Sequence, residues 1–353
     1  MSTEAMRAWV FRRKGPPRDV LHLESDYPVP RPTTPSQVLL SVKAVSLNPV
    51  GWKMMGVAPI KWLSKVPGVP ESDVAGVVVK GGRTLTEGQK VYGIKPAEKV
   101  ARDGKGVLAE YAVVDEDHLR PIPRDVSFER AAATPLAANT ALFALCDTAG
   151  LERGKGQKVF VNGGSGGVGA FAVQIAQSYG ADVYTTCSPA SRQLVESLVR
   201  DPSHIFDYQG STPLEDQLTR HVKDDKKEFD IVFDAIGVPS LYHASEGFLK
   251  KSGVYLDIAG PHLDGTISNL VYAAWYVVSS LARPKWLGGV ARKYKFVSMQ
   301  VKQHNVDEMT RLLSDGSIDP VVDSTYEFEQ ALEAYDKSMS GRAKGKVVVT
   351  LPR

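Results

Sequence analysis

Two domains are predicted: a doubly wound α/β unit built on a parallel sheet, and a smaller β-rich unit. Three features point to them. At 353 residues the chain is long for one hydrophobic core. From Lys158 to Gln300 strand-like and helix-like segments alternate, as in a parallel sheet with helices on both faces. Before that stretch, short β-branched runs are separated by Gly and Pro turns, the pattern of a small β domain.

The first part reads as follows. Residues 6–11 and 38–47 are strands, and Pro28 to Pro35, with four prolines, interrupts any ladder between them. Further strands are predicted at Asp73–Lys80, Gln89–Ile94 and Ala109–Val114, with turns at Gly81-Gly82 and Gly104–Gly106. Pro121-Ile122-Pro123 reads as a hinge, which gives a first domain over 1–126 and a second over 127–300. Phe128–Leu145 is alanine-rich and helical, broken at Pro135. Lys158–Val161 is a short buried strand, Ala170–Tyr179 a helix, and Gly180 its stop. The alternation continues with strands at Asp182–Cys187, His204–Tyr208, Phe229–Ile236, Gly253–Ile258 and Lys295–Gln300. Between the earlier of these lie helices at Ser191–Val199, Pro213–Val222 and Leu241–Leu249. Residues 301–353 carry helices at Val306–Leu313 and Phe328–Met339 and a strand at Lys346–Leu351, so the C-terminus is expected to rejoin the first domain.

Gly164, Gly166 and Gly169 are spaced G-x-G-x-x-G after a strand and at the start of a helix. The first glycine allows the tight turn, the second lets backbone N–H groups approach a pyrophosphate, and the third lets helix and strand pack closely. Nucleotide binding is the reading. Ligands of such sheets lie at the carboxyl ends of the strands, where Gly164, Ser188, Tyr208, Gly237 and Gly260 all fall. An NAD site places a carboxylate at the end of the second strand to hold the ribose 2′-hydroxyl. Here that end reads Thr185-Thr186-Cys187-Ser188-Pro189-Ala190-Ser191-Arg192, with two hydroxyls and a guanidinium suited to a 2′-phosphate. NADPH is therefore the predicted cofactor, with Tyr208 placed to cover the phosphate-bearing ribose.

Composition removes several classes. A net charge of +3, with acids and bases interleaved, argues against a nucleic-acid partner. Cys146 and Cys187 are the only cysteines, so no disulfide framework is implied and a reducing compartment is expected. The first ten residues lack an apolar signal core, and a cytoplasmic protein is the expectation, with mitochondrial or lipid-surface association as alternatives. No repeat or low-complexity tract is visible. Residues 265–282 carry no charge, and Arg283, Lys285, Arg292, Lys293 and Lys295 follow with no acid among them. Three readings stand for 266–295: a wall of the substrate pocket, a homodimer interface, or a peripheral membrane contact through Trp275, Trp286 and the cations.

Several segments together resemble the medium-chain dehydrogenase/reductase superfamily, in its zinc-independent quinone oxidoreductase and enoyl reductase group. They are Ser46-Leu47-Asn48-Pro49-Val50-Gly51-Trp52-Lys53, Pro67–Val79 with Asp73-Val74-Ala75-Gly76, Leu108–Tyr111, Ala131–Ala141, Asn162–Gly169, Phe229–Gly237 and Gly341–Val349. The resemblance covers nearly the whole chain. It implies a GroES-like catalytic domain made from both chain ends, with 301–353 returning to it, a Rossmann domain between, and an active site in the cleft. It further implies Asn48 near the nicotinamide ribose, Thr140 near the carboxamide, and Ser165, Gly167 and Val168 along the pyrophosphate. Ser188, Arg192 and Tyr208 would hold the 2′-phosphate. The backbone of Gly237, Ile258 and Gly260 would line the nicotinamide half, and Lys344 would reach the cofactor from the C-terminal segment. The family usually has an acidic residue where Gly51 stands, which bears on the local helix start and on Lys53.

The zinc branch of the superfamily needs a Cys or Asp near 46, a His near 71 and a later Cys; this chain has Ser46 and Glu71. Two cysteines cannot build a four-cysteine site, and the seven histidines show no ligand spacing. No metal is expected. Without a Lewis acid, quinones and α,β-unsaturated carbonyls are better hydride acceptors than plain ketones, which makes a small, apolar conjugated carbonyl the expected substrate. Lys53 and Tyr92 are the polar candidates for proton donor, set against ordinary roles as a helix-surface charge and a strand residue. The functional expectation is an NADPH-dependent reductase of quinones or enones. Its rivals are a trans-acting enoyl-thioester reductase, with Lys61 and Lys65 as a basic approach, and a non-catalytic NADPH-binding protein.

Overall fold

The structure is a computed structural model that describes residues 5–57, 60–260 and 289–352. It divides into two compact units: Met1–Ala137 with Val301–Ser314 and Pro320–Arg353, and Ala138–Gln300 with Asp315–Asp319. The division falls after Ala137 rather than after residue 126. The reason is the short helix Phe128–Ala132, whose Ala131 and Ala132 are buried and which packs on strands of the first unit.

In chain order the strands are β1 (Ala5–Phe11), β2 (Leu21–Pro28), β3 (Gln37–Ser46), β4 (Asp73–Gly81), β5 (Lys90–Ile94), β6 (Tyr111–Asp115), β7 (Leu119–Pro121), β8 (Lys158–Asn162), β9 (Asp182–Cys187), β10 (Ile205–Asp207), β11 (Phe229–Asp234), β12 (Leu249–Asp257), β13 (Lys293–Phe296), β14 (Val322–Glu327) and β15 (Lys346–Thr350). The helices are α1 (Pro17–Val20), α2 (Pro49–Gly56), α3 (Ala97–Asp103), α4 (Phe128–Ala132), α5 (Pro135–Leu142), α6 (Gly167–Ser178), α7 (Arg192–Leu198), α8 (Leu214–Asp225), α9 (Pro239–His243), α10 (Gln303–Ser314) and α11 (Ala331–Met339).

The first unit carries a mixed sheet in the order β14-β15-β3-β4-β5-β7, with β6 also paired to β3, and a separate β1-β2 ribbon. β3 alternates buried and half-buried residues, as a strand with one face on the core must. The C-terminal residues do rejoin this unit: β15 runs antiparallel to β3, with Val348 opposite Ser46. β2 and β14 lie where no strand was expected, because their sequences are too polar to show a two-residue period. The core of this unit gathers Trp9, Phe11, Leu40, Met55, Phe328 and Tyr335.

The second unit carries six parallel strands in the order β10-β9-β8-β11-β12-β13. The order reverses between β8 and β11, and such a switch point opens a crevice at the strand ends. β8 is buried at every residue, as the central strand of a parallel sheet covered on both faces. Some boundaries differ from those read in the sequence. α6 begins at Gly167, so Gly167 and Val168 stand in its first turn. The helix expected over Leu241–Leu249 is α9 plus a 3-10 turn at Ser245–Gly247, and Leu249 already belongs to β12. The last strand is Lys293–Phe296 rather than Lys295–Gln300. Most of the apolar 266–290 segment, with Trp275 and Trp286, lies outside the described residues. Among the described residues no helix is long and apolar enough to cross a membrane.

Candidate functional site

In the second unit the glycine motif forms a cradle at the end of β8. Gly163 N–H donates to Thr186 Oγ1 at 2.8 Å, and Thr186 Oγ1 donates to Asn162 Oδ1 at 2.8 Å. Gly164 N–H donates to Thr186 O at 3.0 Å, which ties the turn to β9. A Cβ at Gly164 would lie 3.2 Å from both Cβ and Cγ2 of Thr185 and closer still to its hydroxyl. One at Gly169 would lie 2.8 Å from the carbonyl carbon of Gly163, so the third glycine is needed for helix-to-turn packing. Gly166 caps α6. Among the described residues, the amides of Ser165, Gly167 and Val168 donate to no protein acceptor. They are unsatisfied donors at the positive end of a twelve-residue helix, a setting made for an anion.

The next strand ends complete the row. After β9, Ser188 and Ser191 bring their hydroxyls 3.4 Å apart. Arg192 starts α7, but its guanidinium is committed within the protein. Nε donates to Glu196 at 2.7 Å, Nη1 to Ile205 O at 3.2 Å and Nη2 to Pro202 O at 2.9 Å. Tyr208, just past β10, is exposed. After β11 and β12 the loops touch: a Cβ at Gly237 would lie 2.7 Å from Gly260 O, and both glycines have positive φ. Asp234 pins this corner by accepting from Asn162 Nδ2, from the amides of Ile236, Gly237 and Val238, and from the Tyr255 hydroxyl, at 2.7–3.0 Å. Ile258 N–H donates to Asp234 O and Gly260 N–H to Asp257. Thr140 is buried in α5.

The first unit holds a buried polar network that sequence reasoning did not foresee. Asn48, Glu71, Asp73, Lys346 and Tyr335 are all nearly inaccessible. Asn48 Nδ2 donates to Asp73 Oδ2 at 2.9 Å and to Ser46 O at 3.1 Å, while its Oδ1 accepts from Lys346 Nζ. The Asn48 side chain, expected near a ribose, thus has both N–H groups engaged inside the protein. Lys346 Nζ also donates to Leu47 O at 3.1 Å and lies 3.7 Å from Asp73 Oδ2. Glu71 Oε2 accepts from Asn48 N–H at 3.2 Å, and Glu71 Oε1 accepts from the Tyr335 hydroxyl at 2.7 Å. Burial pushes the Glu71 carboxyl up to about 8; Asp73 adds to the push, and Tyr335, Lys346 and the Asn48 amide oppose it.

Lys53, on α2, is half-buried, and burial lowers its pKa. Its ammonium forms no ion pair among the described residues and lies 5.7 Å from the Trp52 ring. Trp52 Nε1 and Ser72 Oγ are buried without a hydrogen-bond partner among the described residues. Tyr92 is a core residue of β5. Its hydroxyl lies 3.0 Å from Thr310 Oγ1, which itself donates to Val306 O, and burial pushes its pKa up to about 12. Lys344 is held through its backbone N–H to Asp323, at 2.7 Å. Lys65 is exposed; the side chain of Lys61 lies outside the described residues. Arg292, counted among the cations of the apolar insert, spends donors on Leu249 O and Glu246 O.

The pattern of an alcohol dehydrogenase GroES-like domain matches residues 34–124, and that of a zinc-binding dehydrogenase matches 202–349. A zinc-type alcohol dehydrogenase-like protein of Schizosaccharomyces pombe is 33% identical over 97% of this chain and 95% of its own. A chloroplast envelope quinone oxidoreductase homolog of Arabidopsis thaliana is 34% identical over 91% and 92%. A trans-enoyl reductase of Aspergillus terreus is 31% identical over 98% and 96%.

The chain belongs to the medium-chain dehydrogenase/reductase superfamily.

Within the superfamily it falls in the quinone oxidoreductase and enoyl reductase group, and it is an NAD(P)-dependent oxidoreductase. The first unit is its GroES-like domain and the second its Rossmann-like domain. Among solved structures, that of a mycobacterial protein, Rv1454c complexed with NADPH, has the same fold, with a TM-score of 0.74 at 21% identity over 98% of this chain and all of that one. Although one matching pattern is named for zinc, no three His, Cys, Asp or Glu side chains among the described residues are placed to hold a metal ion. In this oxidoreductase the glycine cradle announces itself locally. Glu71, Lys346 and Tyr335 do not, because they meet only through pairings that span hundreds of residues.

Proposed function

We propose that this oxidoreductase reduces quinones or α,β-unsaturated carbonyls with NADPH and without a metal. The observation that carries the reading is the row of free amides at Ser165, Gly167 and Val168 beside a β9 tip bearing Ser188 and Ser191 and no carboxylate. The residues fit the cofactor: open glycines and unsatisfied helix donors suit its pyrophosphate, and two hydroxyls suit a 2′-phosphate. NADPH, when bound, supplies the hydride. The chain's own work is positioning and proton supply. Ser188, Arg192 and Tyr208 would hold the phosphate, although Arg192 must offer N–H groups left over from its internal bonds. Gly237, Ile258, Gly260, Thr140 and Lys344 would orient the nicotinamide half, joined by Asn48 through atoms other than its internally bonded side-chain amide. Lys53, with a pKa lowered by burial and no ion pair among the described residues to hold its proton, would deliver a proton to the reduced acceptor. Conjugation spreads the charge that a Lewis acid would otherwise carry, so the donor set needs no metal.

The names of the Arabidopsis and Aspergillus relatives support quinone and enoyl substrates respectively, and the NADPH in the mycobacterial structure supports the cofactor. The second name favours one rival, an enoyl-thioester reductase. NADPH oxidation followed by absorbance, with a quinone, a simple enone and an enoyl thioester as acceptors, tests the reading. Turnover of the first two supports it, and turnover of the thioester alone favours the rival. Tight NADPH binding with no oxidation would leave a binding protein, and stoichiometric zinc by elemental analysis would end the metal-free reading.

A further inference from the structure

Gly51 and Glu71 interlock. Gly51 is the third residue of α2, and a Cβ there would lie 2.6 Å from Glu71 Cδ and 3.0 Å from Glu71 Oε2. The carboxyl of Glu71 thus fills the space that a side chain at 51 would take. Glu71 reaches it from a strained backbone, one of two non-glycine residues with positive φ among the described residues, at 71°. That strain persists because the side chain is over-determined, held by the Tyr335 hydroxyl on one oxygen and the Asn48 amide on the other. Asn48 is the N-cap of α2, yet its side chain makes no capping bond, since its Nδ2 donates to Asp73 and Ser46 and its Oδ1 accepts from Lys346. The acidic group at the start of this helix therefore comes from another segment of the chain. Five residues after the cap stands Lys53.

We propose that Glu71 and Gly51 act as one clamp that sets the start of α2, making Glu71 a positioning residue that fixes Asn48 and Lys53 for the reduction. The inference rests on the proposed function for its kinetic consequence, but not for its structural one. The side chain at 51 and the carboxyl at 71 compete for one volume, so moving the carboxyl from 71 to 51 should preserve the clamp. Gly at 71 would also suit the positive φ.

The test is a double-mutant cycle of Glu71→Gly, Gly51→Asp and the pair together, with Glu71→Gln as a conservative variant. Three quantities are read: kcat with the best acceptor, the NADPH dissociation constant by calorimetry, and the urea midpoint. Glu71→Gly is expected to lower kcat at least about tenfold and to weaken NADPH binding by clearly less, because among the proposed cofactor residues Glu71 holds Asn48 alone and the glycine cradle lies in the other unit. Gly51→Asp alone is expected to lower the urea midpoint by crowding Glu71. The pair together is expected to bring both readings most of the way back, kcat to within about threefold. Glu71→Gln, neutral at all pH, is expected to remove a break near pH 8 in the wild-type kcat profile; the groups facing Glu71 are Asp73 on β4, Lys346 on β15 and Tyr335 on α11. A double variant no better than the worse single one, or a Glu71→Gly enzyme with wild-type kcat, overturns the clamp. If wild type turns over no acceptor, the proposed function fails, and the urea midpoints still decide the clamp: recovery in the double variant upholds it, and additive losses refute it.

Discussion

The ammonium of Lys346 donates to the side-chain oxygen of Asn48 across 298 residues of sequence. Both are buried, and the same ammonium lies 3.7 Å from Asp73. The C-terminal strand thereby supplies the counter-charge for a carboxylate in the family motif at 73–76. Removing one member of a buried pair leaves the other charge uncompensated, at a cost of about 3–5 kcal/mol. Lys346→Met is expected to lose stability on that scale in urea denaturation. A loss under about 1 kcal/mol would mean that Asp73 is held by Leu136 N–H and Asn48 alone.

Cofactor choice is predicted to reside at the tip of β9. Ser188→Asp places a carboxylate where a 2′-phosphate would sit, so like charges repel. Calorimetry is expected to show NADPH binding at least about tenfold weaker with NADH binding unchanged or improved. Arg192→Ala is expected to have a smaller effect, because much of its guanidinium serves Glu196 and two backbone carbonyls. Equal loss of both cofactors in Ser188→Asp would contradict the assignment.

Lys53→Met is expected to lower kcat about a hundredfold, the usual range for losing a general acid, while NADPH affinity stays the same. The ammonium is the active form, so wild-type kcat should fall as pH rises through the lowered pKa of Lys53. Lys53→Arg should hold the plateau to higher pH at a reduced rate. Unchanged turnover in Lys53→Met would assign the proton to solvent.

Glu116 makes a separate, structural prediction. Burial alone would raise its pKa, but the amides of Arg83, Thr84 and Leu85 and the Thr84 hydroxyl all donate to its carboxylate and pull it down to about 2. A lowered native pKa means stability that is present above the unfolded value, roughly 4.3, and is lost as pH falls toward 2. Glu116→Gln is expected to cost about 2 kcal/mol near neutrality and to flatten that acid dependence. A variant whose melting follows wild type from pH 5 to 2 would show that the carboxylate contributes nothing.

Much of the fold was legible because its signals are local. Val159–Val161 reads as a buried strand, the glycines follow at fixed spacing, and each strand end carries a small or polar residue where a ligand would lie. Lys158 to Gln300 therefore disclosed a doubly wound sheet with little ambiguity beyond segment ends. The polar strands β2 and β14 were not legible, since their pairing is set by β1 and β15 rather than by their own residues. Arg192 was expected to offer its guanidinium to a phosphate, but its neighbours Glu196, Pro202 and Ile205, which take N–H donors from it, are not legible in the local sequence.

What the residues by themselves determined, then, is what spacing can encode: an open glycine turn at the start of a helix, a second strand ending in hydroxyls, and too few cysteines for a four-cysteine zinc site. The tertiary structure alone decided what surrounds Asn48. Glu71, Asp73, Lys346 and Tyr335 arrive there from a loop, two strands and a helix, and a buried charge or carboxyl is tolerated only where such distant partners meet it. The glycine at 51 has the same origin: its side chain is missing because another residue's carboxyl already fills the space.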